Sequence, residues 1–296
     1  MKIYHDRRGA GSGIIARMSA DSIHAGSGPA ARAWRPAAAI KASVLLHAGG
    51  LAALAAAPDA WTAVLAAVAA NHLALFGASF APRSGLLGPN LTRLPGAAAA
   101  RCEIAITFDD GPDPEITPRV LDCLDRAGAR GTFFCVGRSA AAHPDVVREI
   151  VRRGHAVENH SQEHSTAFGW YGPDRLRREI GTAQATLARL AGCAPAFFRA
   201  PFGIRSPFVD PVLARLGLRY VSWTRRGYDT VDDDAARVLG RLAGRLDAGD
   251  VLVLHDGMAT GRASRGQPAV LDVLPRLLEL AGARGLKPVT LGAACG

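Results

Sequence analysis

The residues best equipped for chemistry fall in four short stretches. Thr107-Phe108-Asp109-Asp110-Gly111-Pro112 sets two carboxylates side by side after a β-rich run. The Gly-Pro pair forces a turn there, which keeps both acids at a strand end rather than in a helix. His160-Ser161-Gln162-Glu163-His164 spaces two imidazoles four residues apart. On a helical turn that spacing puts both on one face, within reach of one cation. With a carboxylate from another strand end they make a His₂-carboxylate set, a donor combination that suits catalytic zinc and leaves positions open for water and substrate. Arg199-Ala200-Pro201-Phe202-Gly203 supplies a guanidinium that can pair with one aspartate and keep it ionised. Leu252-Val253-Leu254-His255 closes an apolar run with an imidazole. Each stretch alone also occurs in ordinary surface turns; it is their shared position at strand ends that points to one site.

The elements that must position these residues are legible as β-rich runs at 103–108, 131–136, 156–159, 196–199, 220–223, 251–254 and 288–291, with helical patterns between most of them, such as 173–190 and 233–246. About seven strands alternating with helices predict an α/β fold around a parallel sheet. A distorted (β/α) barrel is compatible with that count, although periodicity does not establish closure. In such folds chemistry gathers at the carboxyl ends of the strands.

The rest of the 296-residue chain divides by composition. Residues 1–36 read as a disordered basic tail, in which Lys2, Arg7, Arg8, Arg17, Arg32 and Arg35 outnumber Asp6 and Asp21. Residues 37–80 hold two apolar stretches separated by Pro58 and Asp59, each long enough to span a bilayer. Asn71 and His72 lie within the second, where polar groups are costly unless paired. A membrane hairpin is the leading reading; a soluble helical hairpin packed on the domain and a signal peptide cleaved near residues 55–57 are the alternatives. Residues 81–100 read as a linker and 101–296 as the catalytic domain. The charge of +9 allows a phosphorylated or anionic partner, but no interleaving of basic and aromatic residues suggests nucleic-acid binding. Five cysteines with no CxxC read as small buried hydrophobes rather than a zinc knuckle or redox pair. The sequence is silent on oligomeric state. The Gly- and Arg-rich stretch 258–267 is expected to border the cleft after His255.

Taken together and in order, these stretches resemble the motifs of the polysaccharide deacetylases with a NodB-type homology domain, carbohydrate esterase family four. Thr107 to Pro112 matches the first motif letter for letter, His160 to His164 matches the pattern of the second, Arg199 to Gly203 resembles the third, and Leu252 to His255 resembles the fifth with its Leu-x-His ending. The fourth departs: Ser222-Trp223-Thr224-Arg225-Arg226-Gly227-Tyr228-Asp229 lacks the family's Asp-Trp pair. The resemblance covers about residues 102–291 and implies a metal-dependent hydrolase that removes N-acetyl groups from amino sugars. It implies Asp110, His160 and His164 as metal ligands and Asp109 as general base, with its charge held by Arg199. His255 is implied as general acid, oriented by Asp229. The backbone N–H of Phe202 is expected to receive the oxyanion. Leu252 and Leu254 are expected to wall the acetyl methyl, with Trp223 or Tyr228 replacing the missing Trp.

Zinc is the expected metal from the ligand types, with cobalt, nickel or manganese able to occupy the same set. The expected substrate is an N-acetylated amino sugar, lipid-linked or polymeric. If both apolar stretches span, the basic tail keeps the chain's ends on the cytoplasmic side of the inner membrane; a secreted or periplasmic enzyme is the alternative. Two other functions remain open at this stage: hydrolysis of a non-sugar amide on the same barrel, and a catalytically inactive sugar-binding protein.

Overall fold

The computed structural model describes residues 30–257 and 268–296. Eight strands form one sheet: β1 (Glu103–Asp109), β2 (Gly131–Cys135), β3 (Ala156–Asn159), β4 (Phe197–Phe198), β5 (Arg219–Tyr220), β6 (Arg225–Arg226), β7 (Val251–His255) and β8 (Lys287–Pro288). Seven run in the order β5-β4-β3-β2-β1-β7-β6, and β8 pairs with the start of β1. All pairings are parallel. β1 and β7 are neighbouring interior strands with both faces covered, which is why they read as largely apolar runs rather than alternating ones.

The two faces differ in what covers them. Leu252 and Leu254 of β7 join the outer core against the helices Ala235–Ala243 and Ala269–Ala283. Val251 points the other way, into an inner core with Ala105, Phe134, Phe197, Val221 and Leu291. The sheet curls into a half-barrel whose edge strands β5 and β6 do not pair with each other. The gap between them is filled by residues expected to be linker. Leu91 bridges to Val221, Arg93 bridges to Asp250, and Leu94 and Ala98 enter the inner core.

Two sequence expectations shift. The expected strand at 288–291 is instead β8 followed by the helix Leu291–Cys295, whose first turn is capped by Thr290 Oγ1 accepting from the Ala293 N–H. β6 was not expected, because Arg225 and Arg226 carry no apolar signature; it forms through backbone pairing with Leu252 and Val253, while Arg225 pairs with buried Asp250. Residues 1–29 of the expected tail and the loop 258–267 lie outside the described residues. Nearer the hairpin, the Arg32 N–H donates to Ala214 O and Trp34 Nε1 donates to Asp210.

The apolar stretches form helices α1 (Ala38–Ala56) and α2 (Trp61–Ser79), joined by a turn at Pro58–Ala60. Both are long and apolar enough to cross a membrane. Their surfaces are largely exposed, with Ser43, Ala78 and Ser79 as their only buried residues, so this is not a hairpin buried against the domain. The polar groups inside it pair across the two helices. Asn71 Nδ2 donates to Ser43 Oγ at 2.9 Å, and His47 Nε2 lies 3.3 Å from His72 Nε2.

Candidate active site

Asp109, Asp110, His160 and His255 sit at or just beyond the carboxyl ends of β1, β3 and β7. Asp109 ends β1 and is in register with His255, which ends β7. Asp110 follows directly, and His160 follows β3. A narrow cleft of about 60 Å³ is lined by Asp109, Asp110, His160, His164, Trp223 and His255, with Phe202, Gly203, Arg226 and Thr230 completing it.

The two histidines reach this cleft without the helical turn that their spacing suggests. Ser161 and His164 adopt φ of 69° and 49°, which breaks helical geometry. Local hydrogen bonds hold the irregular turn instead: Asn159 Oδ1 accepts from the Ser161 N–H, and Ser161 Oγ from the His164 N–H. Asp110, Phe202 and Tyr228 also have positive φ, so among the described residues five of the six non-glycine residues in this conformation lie in or beside the cleft. Strained backbone concentrated at one place is typical of a functional site.

Asp110 Oδ1, His160 Nε2 and His164 Nε2 converge. The two nitrogens lie 3.3 and 3.0 Å from the oxygen, and the three donor atoms fall within 4.8 Å of one another. Asp110 Oδ1 is buried and has no hydrogen bond of acceptable geometry. His160 Nδ1 lies 2.9 Å from the Arg199 carbonyl, which can only accept. The proton therefore sits on Nδ1, and Nε2 is left with a lone pair for a cation. Ligands about 2.0–2.2 Å from a tetrahedral zinc stand roughly 3.3 Å apart, so the spacing fits a divalent metal.

Asp109 is tied down by Arg199. The guanidinium is fully buried, donates from Nη1 to Asp109 Oδ1 at 2.6 Å and to Thr107 Oγ1 at 2.8 Å, and from Nη2 to Ser222 O at 2.8 Å. It also lies over the Phe134 ring. This leaves Asp109 Oδ2 free of the guanidinium. On the other flank, His255 Nδ1 donates to Asp229 Oδ1 at 2.9 Å, and the His255 N–H donates to Asp229 Oδ2 at 2.8 Å. Burial disfavours a charged His255, but the Asp229 carboxylate outweighs it and pushes the imidazole up to about 9.

The acyl-pocket assignments change. Leu252 and Leu254 do not line the cleft: strand alternation turns them into the outer core. Trp223 does line it, while Tyr228 is half exposed in an adjoining groove. The Phe202 ring, 4.8 Å from that of His164, forms part of the rim. Sequence reasoning missed Thr230, which carries no motif signal beside Asp229, and Asp256. The Asp256 carboxyl is buried beneath the Asp110-Gly111 turn, accepts from Thr117 Oγ1 at 2.6 Å, and is pushed up to about 7 by burial. A side chain at Gly111 would collide with it, which explains the glycine.

A curled parallel half-barrel with a His₂-carboxylate cluster, a tethered acid and a tethered imidazole at its rim defines a class of hydrolase-like α/β proteins. Comparison with known proteins narrows it. A model of the family described as "Polysaccharide deacetylase" matches residues 97–221. The chain is 34% identical over 191 residues to a chitooligosaccharide deacetylase of Azorhizobium caulinodans, covering 62% of this chain and 89% of that one. It is 32% identical over 184 residues to a peptidoglycan-N-acetylglucosamine deacetylase of Bacillus cereus, covering 62% of this chain and 66% of that relative's length. In structure it is similar to the Bc1960 peptidoglycan N-acetylglucosamine deacetylase, with a TM-score of 0.63 and 28% identity over 70% of this chain and 92% of that one. The chain belongs to the polysaccharide deacetylase family, carbohydrate esterase family four.

Proposed function

We propose that the protein is a metal-dependent N-deacetylase that releases acetate from an N-acetylated amino sugar, lipid-linked or polymeric, while held at a membrane by α1 and α2. The observation that carries this reading is the convergence of Asp110 Oδ1, His160 Nε2 and His164 Nε2 in a cleft that also presents Asp109 and His255. Asp110, His160 and His164 would hold a divalent cation, zinc by ligand type. When bound, the cation supplies Lewis-acid polarisation and neutralises developing negative charge.

The remaining steps belong to the chain's own side chains. Arg199 fixes Asp109 through Oδ1, and Oδ2 takes a proton from water as that water attacks the amide carbonyl. The tetrahedral centre gathers charge on its oxygen, which the Phe202 N–H stabilises as donor. His255, protonated at Nε2 and oriented by Asp229, gives its proton to the departing nitrogen as the C–N bond breaks. Acetate and a free amine result. Trp223 supplies an apolar wall for the acyl group.

The test is acetate release by the purified full chain from N-acetylglucosamine oligomers and from lipid-linked N-acetylglucosamine, before and after metal stripping. Metal-dependent acetate from either supports the reading; none from both refutes it. A topology reporter fused after Gly296 addresses location. Cytoplasmic signal supports a catalytic domain facing the cytoplasm, and external signal places it on the polymer side.

A further inference from the structure

The cleft is narrow, and a substrate that places its acyl group there extends toward the neighbouring surface. Immediately outside is a groove of about 720 Å³ that shares Phe202, Gly203, Trp223 and Arg226 with the cleft. Its charged lining is Arg83, Arg225, Arg226 and Arg241, with no acidic residue among them. Two of these cations are already neutralised: Arg225 pairs with Asp250 at 2.7 Å and Arg241 with Asp232 at 2.6 Å. Among the described residues, Arg83 and Arg226 have no carboxylate within 4.0 Å. Arg226 Nε is buried without a hydrogen-bond partner.

The Arg226 guanidinium is held between two rings, 5.0 Å from the centre of Trp223 and 5.1 Å from that of Tyr228. Stacking of this kind preorganises the planar fork, so little side-chain freedom is lost when an anion arrives. Arg83 donates to Thr224 O at 3.3 Å. The far wall is made by Phe80 and Pro82, the residues directly after α2, so the groove opens where the apolar hairpin ends. Arginines without a carboxylate partner can hydrogen-bond a neutral sugar, but they match the charged oxygens of a phosphate better.

We propose that this groove is an anion subsite that takes a phosphate joined to the N-acylated sugar, with Arg226 and Arg83 as its two cations. The inference rests on the deacetylase reading and names the substrate class it implies: an acylamino sugar phosphate. A phosphate that links such a sugar to a lipid meets the groove at the bilayer surface when the hairpin spans; a soluble sugar phosphate offers the same group.

Binding and acetate release are measured side by side for the full chain in phosphatidylcholine vesicles. The probes are N-acetylglucosamine, N-acetylglucosamine 1-phosphate, and the same sugar joined through phosphate to a polyprenyl chain. A phosphate probe is expected to bind at least about tenfold tighter than the unphosphorylated sugar, and Arg226→Ala and Arg83→Ala each to erase most of that gain. Arg83 is exposed, so its variant keeps the test valid should Arg226→Ala fail to fold. A gain confined to the polyprenyl probe supports a membrane source, and a gain shared by both supports phosphate from either. Equal binding of all three probes, or a gain that survives in both variants, overturns the subsite. Phosphate-dependent binding with no acetate from any probe supports the subsite and refutes the deacetylase reading instead.

Discussion

Replacing Asp229 by Asn removes a negative charge and an acceptor from His255 while leaving the shape of the pair. In the folded chain Asp229 meets both the ring Nδ1 and the backbone N–H of His255, at 2.9 and 2.8 Å. Burial pulls the imidazole down, and the aspartate more than reverses that, from 6.5 to about 9. The difference corresponds to on the order of 3 kcal/mol of preference for the protonated ring. Because the folded-state value is raised, the stabilisation it brings is full below pH 6.5 and is lost as pH rises through about 9. A general acid works only while protonated, so activity should persist to about pH 9 and fall above it. In Asp229→Asn the largest of the opposing charges is gone, only Asp110 and Asp109 still act against burial, and the ring should titrate well below about 9. At mildly alkaline pH that change alone lowers the protonated fraction severalfold. The assay is the pH profile of kcat/KM, beside an NMR titration of the His255 ring in metal-free protein. The alkaline limb and the ring titration should move down together. An unmoved limb, with the ring still titrating near 9, refutes the pairing argument.

Four further outcomes follow from the same geometry. Asp109→Asn should retain metal and lose at least about 10²-fold in turnover, because Oδ2 can no longer accept a proton; near-parental kcat argues against its role as base. His160→Ala should lose zinc on dialysis, measured as metal content per chain. Arg199→Met should destabilise the fold by about 3–5 kcal/mol in a denaturant titration, since it strands a buried Asp109 charge. The Glu158 carboxyl, buried and pushed up to about 8, contributes stability that is full below pH 4.5 and lost as pH rises through about 8; Glu158→Gln should flatten the melting temperature over that range.

The central strands and the ligand set were legible because each is a contiguous signal: an apolar run that stops at a polar residue. What the sequence hid was mostly directional. Leu252 and Leu254 stand two residues apart, as wall residues should, but alternation says only that they share a face, not that the face is turned to the helices. The His160–His164 pair was found by spacing although the turn is not helical, because Ser161 and His164 adopt left-handed backbone that spacing cannot reveal. Leu91 and Arg93 looked like linker because isolated bridges leave no periodic pattern, yet they close the gap between β5 and β6. Arg226 stood out only once Trp223, Tyr228 and the missing carboxylate partner could be seen around it.

The most direct test of the metal centre is anomalous scattering from crystals of the zinc-loaded protein. The account predicts one peak at the cleft, about 2.0–2.2 Å from Asp110 Oδ1, His160 Nε2 and His164 Nε2, and none in crystals of His160→Ala. Zinc found only elsewhere on the chain, or a cleft that stays empty at saturating zinc, would contradict it.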